Sequence, residues 1–261
     1  MVVPEERLRA FTASHGGVDP RQIEDLCVAR YGETMLTVAR VPFDPARVLA
    51  AFDDRSTKPT LRKSLAPAPA VVRITGEASG EPEELIVFAR EALAFEQGPH
   101  GPIRAAEAFA FGRLRRAQPA LRGAALARAD ATLGPAPIRV LVPGPFEGEA
   151  AQGLGGLLRA STAIGLAAKP IEGAARVAVR LVLTGAWNED APAAAERLAA
   201  AVHVLSESAA GRLFGLDRPL EGPRAHAAPE ALVLEATYDA DAIARGLRDA
   251  TSAEVGEIMR R

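Results

Sequence analysis

Four stretches of this chain repeat one arrangement. An apolar run typical of a strand ends in an aromatic residue, which is followed by an acid or an amide. A helical pattern begins directly after these two residues. Asp44 illustrates the physics, because a carboxylate at the N-cap accepts hydrogen bonds from the first-turn amides and Pro45 then occupies the first helical position. The junction therefore predicts strand-then-helix units whose aromatic residues pack as staples and whose acids cap helices. The four junctions are Phe43-Asp44, Phe146-Glu147, Trp187-Asn188 and Tyr238-Asp239.

The strand-like runs alternate apolar and polar positions, which favours antiparallel or mixed sheets over a doubly wound parallel sheet. The clearest example is segment 174–186, where Leu181 and Leu183 face one way and Arg180 faces the other, onto a face expected to be wet. We therefore predict an α+β fold of two related halves, each a largely antiparallel or mixed sheet with helices packed on one face. The recurrence of the junction in both halves is compatible with an internal duplication, which the divergent repeats do not prove. A Gly-Pro-rich stretch places the boundary between 1–133 and 134–261.

The same periodicities predict the individual elements. Helices are expected at 4–14, 45–55, 101–129, 147–168, 191–210 and 240–260. Strands are expected at 26–31, 35–41, 70–78, 83–90, 92–97, 138–142, 174–186 and 230–237. The polar, proline-containing segments 56–69 and 211–229 are expected to be loops.

Composition limits the classes of partner and compartment. The net charge of −2 gives no electrostatic footprint for nucleic acid, and the near-absence of lysine beside abundant arginine indicates a GC-rich bacterial genome. The lone Cys27 excludes an intramolecular disulfide and a cysteine-based metal cluster, and its apolar neighbours predict burial. No apolar run is long enough for a transmembrane segment. With Met1 as the natural start the sequence predicts the cytoplasm, whereas an export signal upstream of Met1 would mean the periplasm or cell envelope.

Motifs that carry chemistry are sparse. The four histidines form no metal-ligand spacing, so neither a metal nor a cofactor is expected. The glycines at 153–156 follow a strand by about ten residues and have the wrong spacing for a phosphate loop, so a helix break explains them better. His100, in a rigid loop between a predicted strand and helix, is the most site-like histidine, with Glu96 as an acid–base partner. Glu83 and Glu84 are interpreted as surface charge.

Two hypotheses about function follow. The first is a non-catalytic protein that binds a protein partner or itself, and the apolar, glycine-broken segment containing Leu213, Phe214 and Leu216 is its candidate surface. The same segment is also compatible with simple burial in the core. The alternative is a hydrolase-like or small-molecule-binding enzyme with a cleft between the halves that uses His100 and Glu96. A structure with His100 in a pocket and within hydrogen-bond reach of a carboxylate would favour the enzyme.

Overall fold

The computed structural model describes residues 3–67, 70–78, 80–99, 123–187 and 190–252. The chain forms two compact units, of which Pro4–Ala117 make up one and Gln118–Arg261 belong to the other. Each unit contains one antiparallel sheet with helices, so the fold is α+β. None of the helices in the described ranges combines the length and the apolar character that crossing a bilayer requires.

The first unit is built on a six-stranded sheet in the order β1-β2-β6-β5-β4-β3. Its neighbouring strands are all antiparallel, and the β1–β2 hairpin and α2 lie where the sequence predicts them. Its elements are α1 (Glu5–Ser14), β1 (Asp25–Tyr31), β2 (Thr34–Arg40), α2 (Pro45–Arg55), β3 (Leu61–Pro67), β4 (Ala70–Ala78), β5 (Glu81–Phe88) and β6 (Ala92–Gln97).

Helix α2 starts at the first junction and lies over the core of this sheet. Asp44 is the N-cap, and its Oδ1 accepts a hydrogen bond from the Ala46 amide at 2.9 Å, with Pro45 in the first turn. The buried face of the helix carries Val48, Leu49 and Phe52, which pack on side chains from the central strands. The predicted roles of Asp44 and Pro45 are therefore confirmed. The strand side chains in this core include Ile74, Leu85 and Val87.

Replacing Asp44 by Ala is expected to lower the free energy of unfolding by about 1 kcal/mol, because the Ala46 amide loses its capping acceptor. Asp190 is the matched control, since it occupies an N-cap position where its side chain accepts no capping hydrogen bond. The change Asp190→Ala should therefore cost less than about 0.5 kcal/mol. Chemical denaturation of both variants measures the difference, and equal losses would contradict the capping role of Asp44.

The second unit is built on a five-stranded antiparallel sheet in the order β10-β11-β9-β8-β7. The two sheets share one pairing. In the first, β2, which precedes α2, pairs with β6, the last strand of that sheet in chain order. In the second, β9, which precedes α4, likewise pairs with β11. The elements are α3 (Ala124–Leu133), β7 (Ile138–Pro143), β8 (Ser161–Ile171), β9 (Arg176–Gly185), α4 (Ala191–Ser206), α5 (Ala209–Leu213), β10 (Glu221–Ala228), β11 (Ala231–Asp239) and α6 (Ala240–Ser252).

Two helices pack on opposite faces of this second sheet. On the α4 face, Leu183 and Leu198 are fully buried in one cluster together with Trp187. On the α3 face, Val182 is equally buried and packs with Leu133. Because neighbouring residues of β9 are buried in opposite directions, the face opposite Leu183 is covered at this point of the strand.

The last junction is also confirmed, whereas the second is wrong as a helix start. Asp239 Oδ1 accepts hydrogen bonds from the amides of Asp241 and Ala242 at the start of α6, at 2.7 and 3.0 Å. After Phe146-Glu147 the chain forms two short 3-10 turns, Ala150–Gln152 and Leu157–Ala160, in place of the helix predicted over 147–168. Gly155 and Gly156 between them have positive φ values, which break a helix, and β8 then occupies 161–171.

Two segments predicted as loops contain edge strands. The predicted loop 56–69 includes β3, and the predicted loop 211–229 includes β10. Among the described strands each of the two has one partner, β4 for β3 and β11 for β10, and both carry polar side chains that remain exposed. A strand whose two faces are largely wet has no hydrophobic alternation, so its pairing left no periodic signal in the sequence.

Candidate functional site

A row of exposed apolar side chains lies along β7. Ile138 is 60% exposed, Val140 48% and Val142 41%. The three share one face because alternate residues of a strand point the same way. Leu166 of β8 lies directly opposite Val140, belongs to the same row and is 37% exposed. We call these four residues the β7 row. Exposed aliphatic side chains in a contiguous row are typical of an interaction surface.

The backbone of β7 offers hydrogen-bonding groups on its outer side. The Gly144 amide donates to the Thr162 carbonyl of β8 at 2.9 Å, and this position continues the β7–β8 register. The N–H and C=O groups of successive residues in an antiparallel strand point alternately toward and away from the partner strand. The backbone groups of Arg139, Leu141 and Pro143 therefore point away from β8. Pro143 lacks an N–H and fits this outward position. Among the described strands β7 pairs only with β8, so the outward amides and carbonyls of Arg139 and Leu141 face no other strand.

The β7 edge carries little charge to repel another strand. Its single charged residue is Arg139, whose Nη1 lies 2.6 Å from Asp130 Oδ1 of α3. Native sheets usually protect their edges with charged residues that discourage strand pairing. The other edge of this sheet follows that rule, since β10 carries Glu221 and Arg224.

The edge strand β1 of the first sheet differs from β7. Cys27 on this strand is exposed, so the prediction that it is buried is wrong. In the part of the chain that the structure describes, β1 pairs with β2 alone, and six of its seven residues are exposed. Its exposed apolar side chains point to both faces, with Leu26 and Val28 on one and Tyr31 on the other. Its charged residues, Asp25 and Arg30, flank this apolar part.

Glu96 lies inside the first sheet. It is 1% exposed and sits directly opposite Glu84 of β5, which is equally buried. Arg73 of β4 donates from Nε to Glu84 Oε2 at 2.5 Å. The interpretation of Glu84 as surface charge is therefore wrong. His100 lies outside the described residues, so acid–base catalysis by His100 and Glu96 stays a prediction.

Glu83, next along β5, is buried on the opposite face and is likewise not surface charge. Burial raises the pKa of its carboxyl group, and Arg55, whose guanidinium lies 3.4 Å away, acts in the opposite direction. The same guanidinium lies over the Phe52 ring, 4.6 Å from its centroid. Glu83 thus belongs to the packing of α2 on the sheet.

The segment with Leu213, Phe214 and Leu216 is half-buried at the end of α5. It packs against α6 so closely that a Cβ at Gly246 would lie 2.0 Å from the Leu213 carbonyl oxygen. This contact agrees with the interpretation that the segment is tucked into the fold. A role for the three side chains in binding a partner stays a prediction.

Sequence reasoning missed the β7 row. The strand itself was predicted, but its apolar residues at both alternate positions resemble those of a buried strand. No signal within the strand tells whether a second neighbour covers it. In the described ranges no group of three or more His, Cys, Asp or Glu side chains is placed to hold a metal ion.

Comparison with known proteins identifies a fold but no family. No family matches the sequence, and no curated protein matches it either. Among solved structures, crystal form I of TP0453 is similar with a TM-score of 0.50 at 10% identity, over 94% of this chain and 88% of that one. Crystal form III of TP0453 gives 0.49 at 12% identity, over 88% and 81%. At these identities the likeness concerns the fold alone.

Proposed function

We propose that this chain is a non-catalytic binding protein that associates through the β7 edge, and that its partner is a second copy of itself. The observation that supports the proposal is the coincidence of the β7 row with an outward-facing backbone on an edge strand. Addition of a strand to such an edge satisfies backbone groups and buries apolar side chains in one step. The net charge of −2 gives no support to a nucleic-acid partner.

The register of β7 is self-complementary. If two copies pair antiparallel with Val140 opposite Val140, then Arg139 of each copy lies opposite Leu141 of the other. These are the residues whose backbone groups point outward, so the two pairs exchange four backbone hydrogen bonds, and Pro143 is not needed as a donor. Ile138 then lies opposite Val142 of the other copy. Directly opposed residues share a face, so the two β7 rows join into one apolar surface.

Charge does not oppose this pairing. In the proposed register the two Arg139 side chains are diagonal neighbours, which would repel if they were free. Each Arg139 is already neutralised by Asp130 of its own copy at 2.6 Å. The two five-stranded sheets would then continue as a single sheet of ten strands.

The register can be tested by cross-linking. In a Cys27→Ser background, Val140→Cys is expected to form a disulfide-linked dimer under mild oxidation, because opposed residues of a non-hydrogen-bonded pair have Cα atoms about 4.5 Å apart. Val142→Cys is the matched control. Two Val142 residues would be separated by four positions along the strands, roughly 14 Å, which is beyond the reach of a disulfide. Non-reducing electrophoresis measures both yields, and equal cross-linking of the two variants would contradict the register.

Association itself is tested by sedimentation of the unmodified chain and two lysine variants. Val140→Lys is expected to disrupt the dimer, because two like charges would lie directly opposite each other at its centre. Val204→Lys changes an equally apolar residue that is 68% exposed on α4 and should leave the dimer intact. A monomeric unmodified chain over the accessible concentration range would refute self-association. Disulfide formation through Cys27 in the unmodified chain, with Val140→Lys still dimeric, would place the interface at β1 instead.

A further inference from the structure

A groove lies on the second sheet, on the face opposite the β7 row. Where α3 ends at Leu133, the sheet continues beyond the helix and leaves a groove of about 480 Å³. One wall is the segment Leu133 to Ala136, and the floor is formed by β8, β9 and β11. Sites for small molecules usually have volumes of about 300–1,000 Å³. The groove is therefore large enough for a small organic ligand.

Two rows of directly opposed residues form the floor and sides of the groove. Across the first row, from β8 to β10, lie Lys169, Ala178, Thr237 and Glu221. The small side chains of Ala178 and Thr237 in the middle create the depression, and Thr237 is only 7% exposed. Across the second row, in the same direction, lie Ala167, Arg180, Glu235 and Arg224.

The charges of the second row are partly used within the fold. Arg180 donates from Nη2 and Nε to Glu235 Oε1, at 2.5 and 2.9 Å. Its Nη1 donates to the carbonyl oxygens of Thr132 and Leu133, at 3.3 and 3.4 Å. This guanidinium therefore compensates both the carboxylate of Glu235 and the negative end of the α3 dipole. Neither of these two negative groups is left to repel an anion in the groove.

The remaining charges of the groove are not paired within the described part of the chain. Lys169 and Arg224 have no carboxylate partner there, and neither does Glu221. These three side chains sum to one positive charge. The hydroxyl of Thr237, in the middle of the first row, makes no side-chain hydrogen bond to another described residue and lines the same groove. A monoanion would match this charge, with one hydroxyl donor at the centre.

We infer that this groove binds a small organic carboxylate, held by Lys169 and Thr237, with its carbon atoms on Ala178 and Ala167. Arg224 adds positive potential from the far side of the groove. The apolar part of the ligand would contact Leu133, Ala136 and the two floor alanines, which line the groove. This site is independent of the proposed dimer, because the β7 row lies on the other face of the sheet.

Hexanoate is a suitable probe, with hexylamine and 1-hexanol as controls that keep the chain and change the head group. In NMR spectra of methyl-labelled alanine, hexanoate is expected to shift the signals of Ala167 and Ala178 in the full chain. Lys169→Gln should weaken this binding by about tenfold or more, as expected for loss of a hydrogen bond to a charged group. Thr237→Val should weaken it less, since it removes a neutral donor and keeps the side-chain shape.

Lys63→Gln is the matched control, because this lysine is exposed on β3 of the other sheet. It should leave the hexanoate affinity unchanged. The inference is overturned if hexanoate shifts neither alanine, if hexylamine or hexanol binds as tightly, or if Lys169→Gln has no larger effect than Lys63→Gln. Since Lys169 is exposed, the variant is expected to fold, and its unshifted alanine signals in the absence of hexanoate verify this.

Discussion

Replacing Phe52 by Ala is expected to lower the free energy of unfolding of the first unit by about 3–5 kcal/mol, the usual range for a fully buried phenylalanine. Its side chain is 1% exposed, where α2 packs on the sheet with Ile74 and Leu85. Truncation leaves a cavity beneath α2 that these side chains fill only in part. It also removes the ring that lies under the Arg55 guanidinium. Urea denaturation followed by hydrogen exchange of the β4 and β5 amides measures the loss.

Phe11→Ala is the matched control for this change. Phe11 belongs to the same unit but is 40% exposed on α1, where its ring stacks on His15 with a centroid distance of 3.9 Å. Its loss should cost about 1.5 kcal/mol or less, the range for an aromatic pair. A loss as large as that of Phe52→Ala would mean that Phe52 is not at the centre of this core.

The second large effect is expected in the other unit. Leu183→Ala should lower its free energy of unfolding by about 2–5 kcal/mol, because Leu183 is fully buried beneath Leu198 of α4. The only tryptophan of the chain, Trp187, belongs to the same cluster, so its fluorescence reports unfolding at this place. The midpoint and slope of a urea titration then give the change in stability.

Leu205→Ala provides the comparison, since this leucine is 53% exposed on α4. The change removes little buried area and replaces leucine by a residue of equal or better helix propensity, so its cost should be within about 0.5 kcal/mol. If the two variants lose similar stability, α4 does not pack on the sheet through Leu198 and Leu183.

Much of the architecture could be predicted from short stretches of sequence. Asp44 and Asp239 are caps because a carboxylate next to the first helical turn finds free amides within two or three residues. The alternation in 174–186 identified β9 and the antiparallel class of the sheet for the same reason, since side chains two apart share a face. These features depend on interactions over a few residues, and they are confirmed.

The burial of individual strand residues was not predictable in this way. Cys27 was expected to be buried and Glu84 to be exposed, and the structure reverses both. Cys27 is exposed because β1 is an edge strand, whereas Glu84 is buried because β5 is central. The residue pattern of a strand does not indicate whether the strand is central or at an edge of its sheet. His100 lies outside the described residues, and the partner role of the segment 213–216 stays a prediction.

The sequence by itself determined the α+β class, two of the helix starts at the capped junctions, and most of the strands. The tertiary structure alone decided which strands are central and which are edges. It also shows that residues 161–168, which were predicted to be helical, belong to β8. The reason is the range of the interactions. Caps and alternation act between near neighbours, whereas strand order depends on pairing between distant segments, such as β9 with β11. The exposure of the β7 row follows from that order, because an apolar strand is buried only when another element covers it.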